Sequence, residues 1–286
     1  MSICLITGTS TGIGLATALH MARNGHKVHA TMRNTAKAGE LSAAIEAEEL
    51  PIAVRAMDVT SAHSITTCVA DVLAEDGRID ILVNNAGLSN SCPAEIYPED
   101  EHRALFETNY WGVVRLTEAV LPGMRAQASG VIVNLSSIAG RVAILNQAAY
   151  CASKFAVEAY SESLAQEVAA FGIRIALIEP GFIRTAITEN TPVHYDKASP
   201  YKHVMRRSGR FFARGTPIAT PPEAVATVIL EAATTDQPRL RYPVGQGSQI
   251  IERRSRMSDE AFVALGALDD EAYYARLSDA IGVDLT

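Results

Sequence analysis

Short apolar runs alternate with longer amphipathic segments over the first 180 residues of the chain. Six of these runs are apolar on both faces, as strands buried within a sheet are. They lie at 3–6, 28–31, 52–57, 79–83, 131–135 and 173–178. Helical patterns separate them, at 13–24, 35–49, 62–76, 99–127 and 150–170. Because no hairpin turns join the runs, we expect a doubly wound parallel sheet of the α/β class.

The regular pattern ends after Pro180. Prolines and aromatic residues, among them Pro192, Tyr195 and Phe211, are frequent in the segment 186–220, which we expect to be a substrate-binding lid. A helix at 222–234 and a strand at 240–242 then resume the fold and give about seven strands in all. The tail, 246–286, has helical patterns at 258–265 and 269–280 and predicts a C-terminal helical extension. Since no linker or repeat interrupts the chain, 1–286 is expected to be a single domain.

Composition and charge favour small-molecule chemistry. The 286 residues are 48% hydrophobic and 20% charged, which is typical of a soluble globular protein. A net charge of −7 gives no basic field for nucleic acid. Residues 1–22 carry no charged side chain, but Gly8, Gly12 and Gly14 interrupt them, so neither a signal peptide nor a membrane span is expected. The four cysteines form no CxxC pair, which favours a reducing compartment and a cytoplasmic location.

A glycine-rich loop, residues 7–14, joins the first predicted strand to the first helix. Glycines let the backbone approach a diphosphate closely, and the N-terminus of a helix supplies free N–H groups and a partial positive charge. The alternative is a simple turn rich in Gly, Thr and Ser. The position of the glycine-rich loop ahead of repeated βαβ units instead favours a dinucleotide-binding site.

The residues after the second strand favour NADP(H) over NAD(H). No Asp or Glu occurs among residues 1–39 to bind a ribose 2′-hydroxyl, whereas Arg33 follows the strand and has donors suited to a phosphate. The alternative is that Arg33 is an ordinary solvated residue, since position 11 is Thr and carries no second positive charge.

Tyr150 and Lys154 are four residues apart in a predicted helix, so their side chains share one face. Carbonyl reduction requires a proton donor at the substrate oxygen. A tyrosine supplies it, and the Lys154 ammonium together with the positive charge of the oxidised nicotinamide is expected to lower the tyrosine's pKa. Ser137 and Ser136, which follow the strand at 131–135, are the candidates for polarising that oxygen.

Together these motifs resemble the classical short-chain dehydrogenases/reductases over residues 3–185, and weakly on to 245. They are the TGxxxGxG loop, Asp58-Val59, Asn84-Asn85-Ala86-Gly87, Asn109, Ser137, Tyr150 with Lys154, and Pro180-Gly181-Phe182-Ile183-Arg184-Thr185. The VHATMRN stretch and the long C-terminus are similar to the hydroxysteroid and retinol dehydrogenase branch. The resemblance implies a Rossmann-type fold, nicotinamide-dependent oxidoreduction at CH–OH groups, and pairing into a homodimer or homotetramer through the helices at 99–127 and 150–170.

The resemblance also implies the site residues. The catalytic set is Asn109, Ser137, Tyr150 and Lys154, with Asn109 holding a water linked to the lysine. The cofactor contacts it implies, together with the basic candidate, are Gly8, Ser10, Thr11, Gly12, Ile13, Gly14, Arg33, Asn34, Asp58, Val59, Asn85, Ala86, Gly87, Tyr150, Lys154, Pro180, Gly181, Ile183 and Thr185. We expect no metal, because the histidines show no paired ligand spacing.

The expected reaction interconverts a ketone or aldehyde and an alcohol. One alternative is a sensor or scaffold that binds NADP(H) without turnover, although such a protein has no need of the acid–base pair. The other is an epimerase or dehydratase, whose usual TGxxGxxG loop is missing. Within the lid, Arg206, Arg207 and Arg210 either form a solvated helix face or steer an anionic substrate. The alternative to an anionic substrate is an apolar pocket suited to a lipophilic ketone or secondary alcohol. Its candidate lining is Val142, Ile144, Leu145, Phe182 and the lid aromatics.

Overall fold

The strands of this computed structural model, which describes residues 1–189, 191, 198–281 and 284, form one parallel sheet in the order β3-β2-β1-β4-β5-β6-β7. The strands are β1 Ile3–Thr7, β2 Lys27–Met32, β3 Ile52–Ala56, β4 Ile81–Asn84, β5 Gly130–Leu135, β6 Ile173–Pro180 and β7 Arg241–Val244. The predicted doubly wound Rossmann-type sheet of about seven strands is therefore confirmed. The order reverses direction between β1 and β4, and such switch points form ligand crevices.

Twelve α-helices are assigned among the described residues. They are α1 Gly12–Arg23, α2 Gly39–Glu48, α3 Ala62–Asp76, α4 Glu99–Phe106, α5 Gly112–Ala126, α6 Ala148–Val168, α7 Ala186–Glu189, α8 Lys202–Gly215, α9 Pro222–Thr234, α10 Ile250–Ser255, α11 Asp259–Ala264 and α12 Asp270–Ile281. None of the helices in the described ranges has the length and apolar character needed to cross a lipid bilayer.

The sheet is buried on both faces, as the all-apolar strands predict. On one face, α1, α2 and α9 pack through residues such as Leu15, Leu41 and Ile229. On the other, α3, α5 and α6 pack through residues such as Ile65 and Leu116. Burial of these apolar surfaces, at about 25 cal/mol per Å², fixes the layers and holds the carboxyl ends of the strands at one edge.

The segment predicted as one helix over 99–127 contains a change of winding. A π-helical turn, Glu107–Trp111, separates α4 from α5, and Asn109 lies inside it. Such turns are rare and often occur at functional sites. Alternating apolar and polar residues cannot reveal a π turn, because its single extra residue leaves the amphipathic pattern almost unchanged.

The lid and the C-terminal extension pack together on the chain after β5. Most of the lid is helical, in α7 and α8, while residues 190 and 192–197, including Pro192 and Tyr195 of the predicted lid, lie outside the described residues. The extension contains the helices α10 to α12, of which α10 was not predicted from the sequence. A separate hydrophobic cluster joins α8 to the extension through Phe211, Tyr273, Tyr274 and Leu277.

Candidate active site

A cleft of about 1350 Å³ opens at the carboxyl ends of the strands beside the switch point. The sheet brings nearly all the predicted site residues to this cleft, from the glycine loop to Tyr150 and Thr185. Gly14, Asn34 and Asn109 are the predicted site residues that do not line the cleft formed by the described residues. The structure therefore brings the glycine loop, residues 7–14, to the same cleft as Tyr150 and Thr185, which lie more than 100 positions later in the sequence.

The glycine loop provides a close backbone approach at the N-terminus of α1. Gly8 and Gly12 have φ values of +69° and +59°, in the left-handed region that favours glycine. A Cβ added to Gly14 would lie 2.2 Å from the Gly8 carbonyl oxygen. Within the described residues, no side chain caps α1 and no acidic residue lies in its first turn. The loop thus fits the diphosphate of a nicotinamide dinucleotide.

Asn85 holds the glycine loop against β4. Its Nδ2 donates to the carbonyl oxygens of Thr7 at 2.8 Å and Gly8 at 3.1 Å. The Thr7 hydroxyl in turn accepts from the backbone N–H groups of Asn85 and Ala86. Sequence reasoning placed Asn85 against the cofactor and missed Thr7. The Asn85 side chain instead uses its amide on the loop, although the residue does line the cleft.

Two basic side chains face the end of the cleft next to β2. Arg33 and Lys37 both line it, and Arg33 has no ion pair with any described residue. Lys37 was missed, although its position in the turn that follows β2 could have indicated it. The prediction that Asn34 contacts the cofactor is not supported, because its Oδ1 accepts from Ala36 N at 3.0 Å and caps the turn.

Asp58 and Val59 follow β3 and line the cleft, where the resemblance predicts contact with the adenine. The Asp58 Oδ1 accepts from the backbone N–H and the hydroxyl of Thr60, at 2.9 and 2.8 Å. Val59 packs against Gly112, where an added Cβ would lie 3.1 Å from the valine side chain. Contacts within the protein itself therefore fix the positions of Asp58 and Val59.

Tyr150 and Lys154 project from α6 into the cleft beside Ser137. Lys154 is buried, and its Nζ lies 5.8 Å from the centre of the Tyr150 ring. The Ser137 Oγ accepts from Ala139 N at 3.1 Å and donates to Pro180 O at 3.5 Å, and its hydroxyl also acts to lower the pKa of Tyr150. The Ser136 hydroxyl is buried against Gly140 without a hydrogen-bond partner in the described chain. Ser137 is therefore the serine that acts on Tyr150.

Burial shifts both titratable groups of this pair away from their charged forms. It raises the pKa of Tyr150 to about 12, while the hydrogen bond from Ser137 acts in the opposite direction. It lowers the pKa of Lys154 to about 8, against the charge of Glu158. Burial dominates at the Tyr150 phenol of the protein alone, and the expected lowering of its pKa by Lys154 together with the oxidised nicotinamide stays a prediction. The Lys154 Nζ donates to the Leu135 carbonyl at 2.7 Å.

Asn109 lies behind the catalytic pair. Its Oδ1 accepts from Leu88 N at 2.8 Å, and its Nδ2 donates to Leu88 O at 2.9 Å and to Ser153 Oγ at 3.0 Å. The side chain is fully buried. A Cβ added to Gly87 would lie 3.4 Å from Asn109 Oδ1 and 3.8 Å from Lys154 Nζ, so the two groups are neighbours. The side chain of Asn109 therefore ties the loop after β4 to α6.

Asn90 is a functional residue that the sequence did not indicate. Its Oδ1 accepts from Tyr150 N at 3.0 Å, in the first turn of α6. The two residues are 60 positions apart, so no local pattern joins them. Asn90 fixes the start of the catalytic helix by satisfying a backbone donor there.

The segment after β6 lines the side of the cleft where the resemblance predicts the nicotinamide. Gly181 N donates to Val244 O at 2.9 Å, and a Cβ there would lie 2.1 Å from the Gln246 carbonyl oxygen. Ile183 packs on Gly245. The Thr185 side chain lies 3.2 Å from a Cβ added to Gly12, so it faces the glycine loop.

The lid arginines Arg206, Arg207 and Arg210 do not line the cleft formed by the described residues, and the hypothesis that they steer an anionic substrate stays a prediction. Arg206 and Arg207 pair with Asp270 of α12, and Arg207 also donates to the Gly266 and Leu268 carbonyls. Arg207 is only 4% exposed, so it is not part of a solvated face either. The Arg210 guanidinium lies 4.3 Å from the centre of the Tyr274 ring. All three hold the extension onto the lid.

One cluster of potential metal ligands occurs among the described residues: His29, Glu75 and Asp76. Lys27 binds both carboxylates at 2.7 Å, and Arg55 binds Glu75 and His29. The carboxylates are already neutralised by these cations. The group therefore stabilises β2 and β3 against α3, away from the cleft.

Comparisons with known proteins agree with this geometry. The family model of the short chain dehydrogenases matches residues 2–196. The chain is 34% identical over 257 residues to the 3-ketodihydrosphingosine reductase of Bacteroides thetaiotaomicron, covering 89% of this chain and 91% of that protein. It is 33% identical over 292 residues to retinol dehydrogenase 8 of Bos taurus, covering 97% and 89%. A solved short-chain dehydrogenase from Streptomyces avermitilis has 32% identity and a TM-score of 0.80, covering 97% of both chains.

The resemblance that rested on scattered motifs thus extends over most of the chain and includes a retinol dehydrogenase, as expected from the residues around Arg33. The chain belongs to the short-chain dehydrogenase/reductase family, whose members are oxidoreductases that act on CH–OH groups with a nicotinamide cofactor.

Proposed function

We propose that the protein is an NADP(H)-dependent carbonyl reductase that converts a lipophilic ketone or aldehyde to an alcohol, with Tyr150 as the proton donor. The observation that carries this proposal is the group formed by Tyr150, Ser137 and Lys154 at the wall of the cleft. A binding protein has no need of such an acid–base group.

The bound cofactor supplies the hydride. Ser137 orients the carbonyl oxygen by donating a hydrogen bond, and this bond strengthens as negative charge develops there. Tyr150 donates its proton to the same oxygen, and the Lys154 ammonium stabilises the phenolate that remains. Asn90 and Asn109 hold α6 and the loop after β4 so that these groups stay in register.

The protonation of Tyr150 supports reduction as the working direction. With its pKa raised to about 12, the phenol holds its proton at neutral pH, so the resting group is in the form from which reduction starts. Alcohol oxidation starts from the phenolate instead. The apolar cleft residues Ile144, Met205, Phe211 and Phe212 suit a lipophilic substrate.

The preference for NADP(H) rests on Arg33 and Lys37. A guanidinium without an ion-pair partner among the described residues is suited to a 2′-phosphate, and a second cation lies in the next turn. We expect Arg33→Ala to weaken NADPH binding, by about tenfold or more, and to leave NADH binding nearly unchanged. Titration of the nicotinamide fluorescence measures both. Equal binding of the two cofactors by the unaltered protein would contradict this preference.

Tyr150→Phe tests the reaction itself. Loss of a general acid is expected to lower kcat by about 10²- to 10⁴-fold while NADPH affinity persists. Tyr160→Phe is the matched control, because Tyr160 lies on the same helix but packs against Tyr110 with ring centres 6.1 Å apart. Carbonyl turnover is followed by loss of NADPH absorbance. A Tyr150→Phe protein that keeps full biological activity would support a sensor or scaffold instead.

The assembly and location belong to the same proposal. Trp111 and Phe155, which are 46% and 43% exposed, lie in the helical segments that we expected to pair between subunits. Large exposed apolar side chains such as these are typically covered at a subunit interface, which supports a homodimer or homotetramer. Four buried free cysteines support a reducing, cytoplasmic compartment.

A further inference from the structure

A second cavity lies between the lid and the C-terminal extension. It has a volume of about 290 Å³, close to the lower end of the range for small-molecule sites. We call this cavity the chamber. Its walls come from the segment 142–145 after β5, from α8, and from the helices of the extension. The apolar lining includes Val142, Leu145, Phe211, Ile250, Phe262, Leu265, Tyr273 and Leu277.

The polar side chains in the chamber wall are Arg207, Ser208 and Tyr273. The guanidinium of Arg207 binds Asp270 and two backbone carbonyls and lies 4.4 Å from the centre of the Tyr273 ring. Ser208 has no such polar contacts. It is 3% exposed, and its Oγ has no hydrogen-bond partner in the described part of the chain. An unpaired buried hydroxyl is unfavourable by about 1–3 kcal/mol, so a ligand oxygen that binds it gains affinity.

The chamber and the cleft share two walls. Ile144 and Phe211 line both of them. Ile144 lies in the segment that leads into α6, six residues before Tyr150. Phe211 stacks on Phe182, with ring centres 4.8 Å apart, beside the nicotinamide end of the cleft. The side chains of Ile144 and Phe211 therefore lie between the chamber and the part of the cleft where a substrate carbonyl would meet Tyr150.

We propose that the chamber holds a long apolar chain of the substrate, whose carbonyl lies at Tyr150 in the cleft. The substrate class is a ketone with an extended hydrocarbon tail, and Ser208 binds one oxygen on that tail. The inference rests on the proposed carbonyl reduction for the position of the carbonyl. It explains the extension: α10 to α12 and the arginines that hold them complete a compartment that the sheet and its own helices do not form.

The test measures binding without turnover. The protein is saturated with NADP+, which cannot reduce a ketone, and 2-alkanones of increasing length displace the fluorescent probe N-phenyl-1-naphthylamine. Affinity is expected to rise about fourfold for each methylene that enters the chamber, and then to level off. Leu277→Trp fills the chamber, so the gain should stop at a shorter chain. Leu73→Trp, on the exposed side of α3, is the matched control and should behave as the unaltered protein.

Ser208 has its own variants. The unaltered protein is expected to bind a tail that carries a hydroxyl at the depth of Ser208 more tightly than the same tail without the hydroxyl. Ser208→Ala is expected to reduce this affinity ratio by about tenfold. Ser208→Leu is a second way to fill the chamber if Leu277→Trp does not fold. Binding of NADP+ by each variant shows that its cleft is intact.

The outcomes separate this inference from the proposed function. No gain in affinity with chain length, or the same gain in folded Leu277→Trp and in the unaltered protein, would overturn the chamber proposal. A chain-length gain that stops at a shorter chain in Leu277→Trp than in the unaltered protein supports it. If that gain is found but NADPH reduces none of the alkanones that bind, the chamber stands and the proposed carbonyl reduction fails.

Discussion

The glycine loop and the lid helix α8 border the same cleft but are held by different kinds of contact. The loop is held by backbone atoms and by its neighbour β4: Gly14 packs on the Gly8 carbonyl, and Asn85 binds Thr7 and Gly8. The helix α8 is held by side chains. Its Arg207 reaches Asp270, which is 63 residues away along the chain.

This difference explains why one region could be predicted and the other could not. A turn that must approach a diphosphate needs glycine at particular positions, whatever the rest of the chain does. A basic helix face has no such requirement, because its partners depend on what packs against it. In α8 the partner is the extension, and the contacts of the arginines with it stabilise the fold.

The largest effect is expected when the buried contact between the lid and the extension is removed. Arg207→Met leaves Asp270 and two carbonyls short of a donor, and we expect helix α12 to lose about 2–4 kcal/mol of stability against local opening. Amide hydrogen exchange of residues 270–279 measures this. Arg206→Met is the control: its side chain is 59% exposed, so a loss below about 1 kcal/mol is expected. Equal effects of the two variants would show that burial does not decide the strength of these contacts.

The next effect concerns the backbone contacts of the loop. Gly14→Ala places a methyl group 2.2 Å from the Gly8 oxygen, so the loop must shift, at a cost of about 1–3 kcal/mol. We expect NADPH affinity to fall by about tenfold or more, because the N–H groups move away from the diphosphate. Gly39→Ala at the start of α2 is the control, since no atom of the described residues lies within 4 Å of its added Cβ. Unchanged cofactor affinity in Gly14→Ala would mean that the loop is not tightly packed.

The smallest effect concerns the charge on Lys154. Its pKa of about 8 means that the ammonium is lost as pH rises through that value, so kcat/KM for NADPH should fall on the alkaline side. The nearby Glu158 charge raises the pKa of Lys154. Glu158→Gln should therefore move this alkaline limb to lower pH.

Glu162→Gln provides the comparison for that pH profile. Both carboxylates bind Arg241, but the side chain of Glu162 is 55% exposed and that of Glu158 only 6%. Water screens the exposed charge, so we expect the profile of Glu162→Gln to stay unchanged. An alkaline limb in the same place for Glu158→Gln and the unaltered protein would contradict the role of the buried charge.

The catalytic residues show how far local spacing can be used. The interval between Tyr150 and Lys154 places both side chains on one helix face, and the structure brings them to the cleft together. The contacts that support them could not be predicted. Asn90 caps the catalytic helix from 60 residues away, and Asn109 lies in a π turn that leaves no mark on the hydrophobic pattern. Burial raises the pKa of Tyr150. The sequence could not predict this shift, because the burial of a side chain depends on everything that packs around it.

The sequence by itself determined the parallel sheet, the tight glycine loop before α1, and the shared helix face of Tyr150 and Lys154. Each depends on a short-range requirement: apolar runs that need two covered faces, glycines at tight turns, and helical spacing. The tertiary structure alone decided that Asn85 holds the loop, that Arg206 and Arg207 bind the extension, and that a chamber lies beside the cleft. Those outcomes depend on which distant side chains meet, and the free energies of burial and pairing that fix them exist only once the chain has folded.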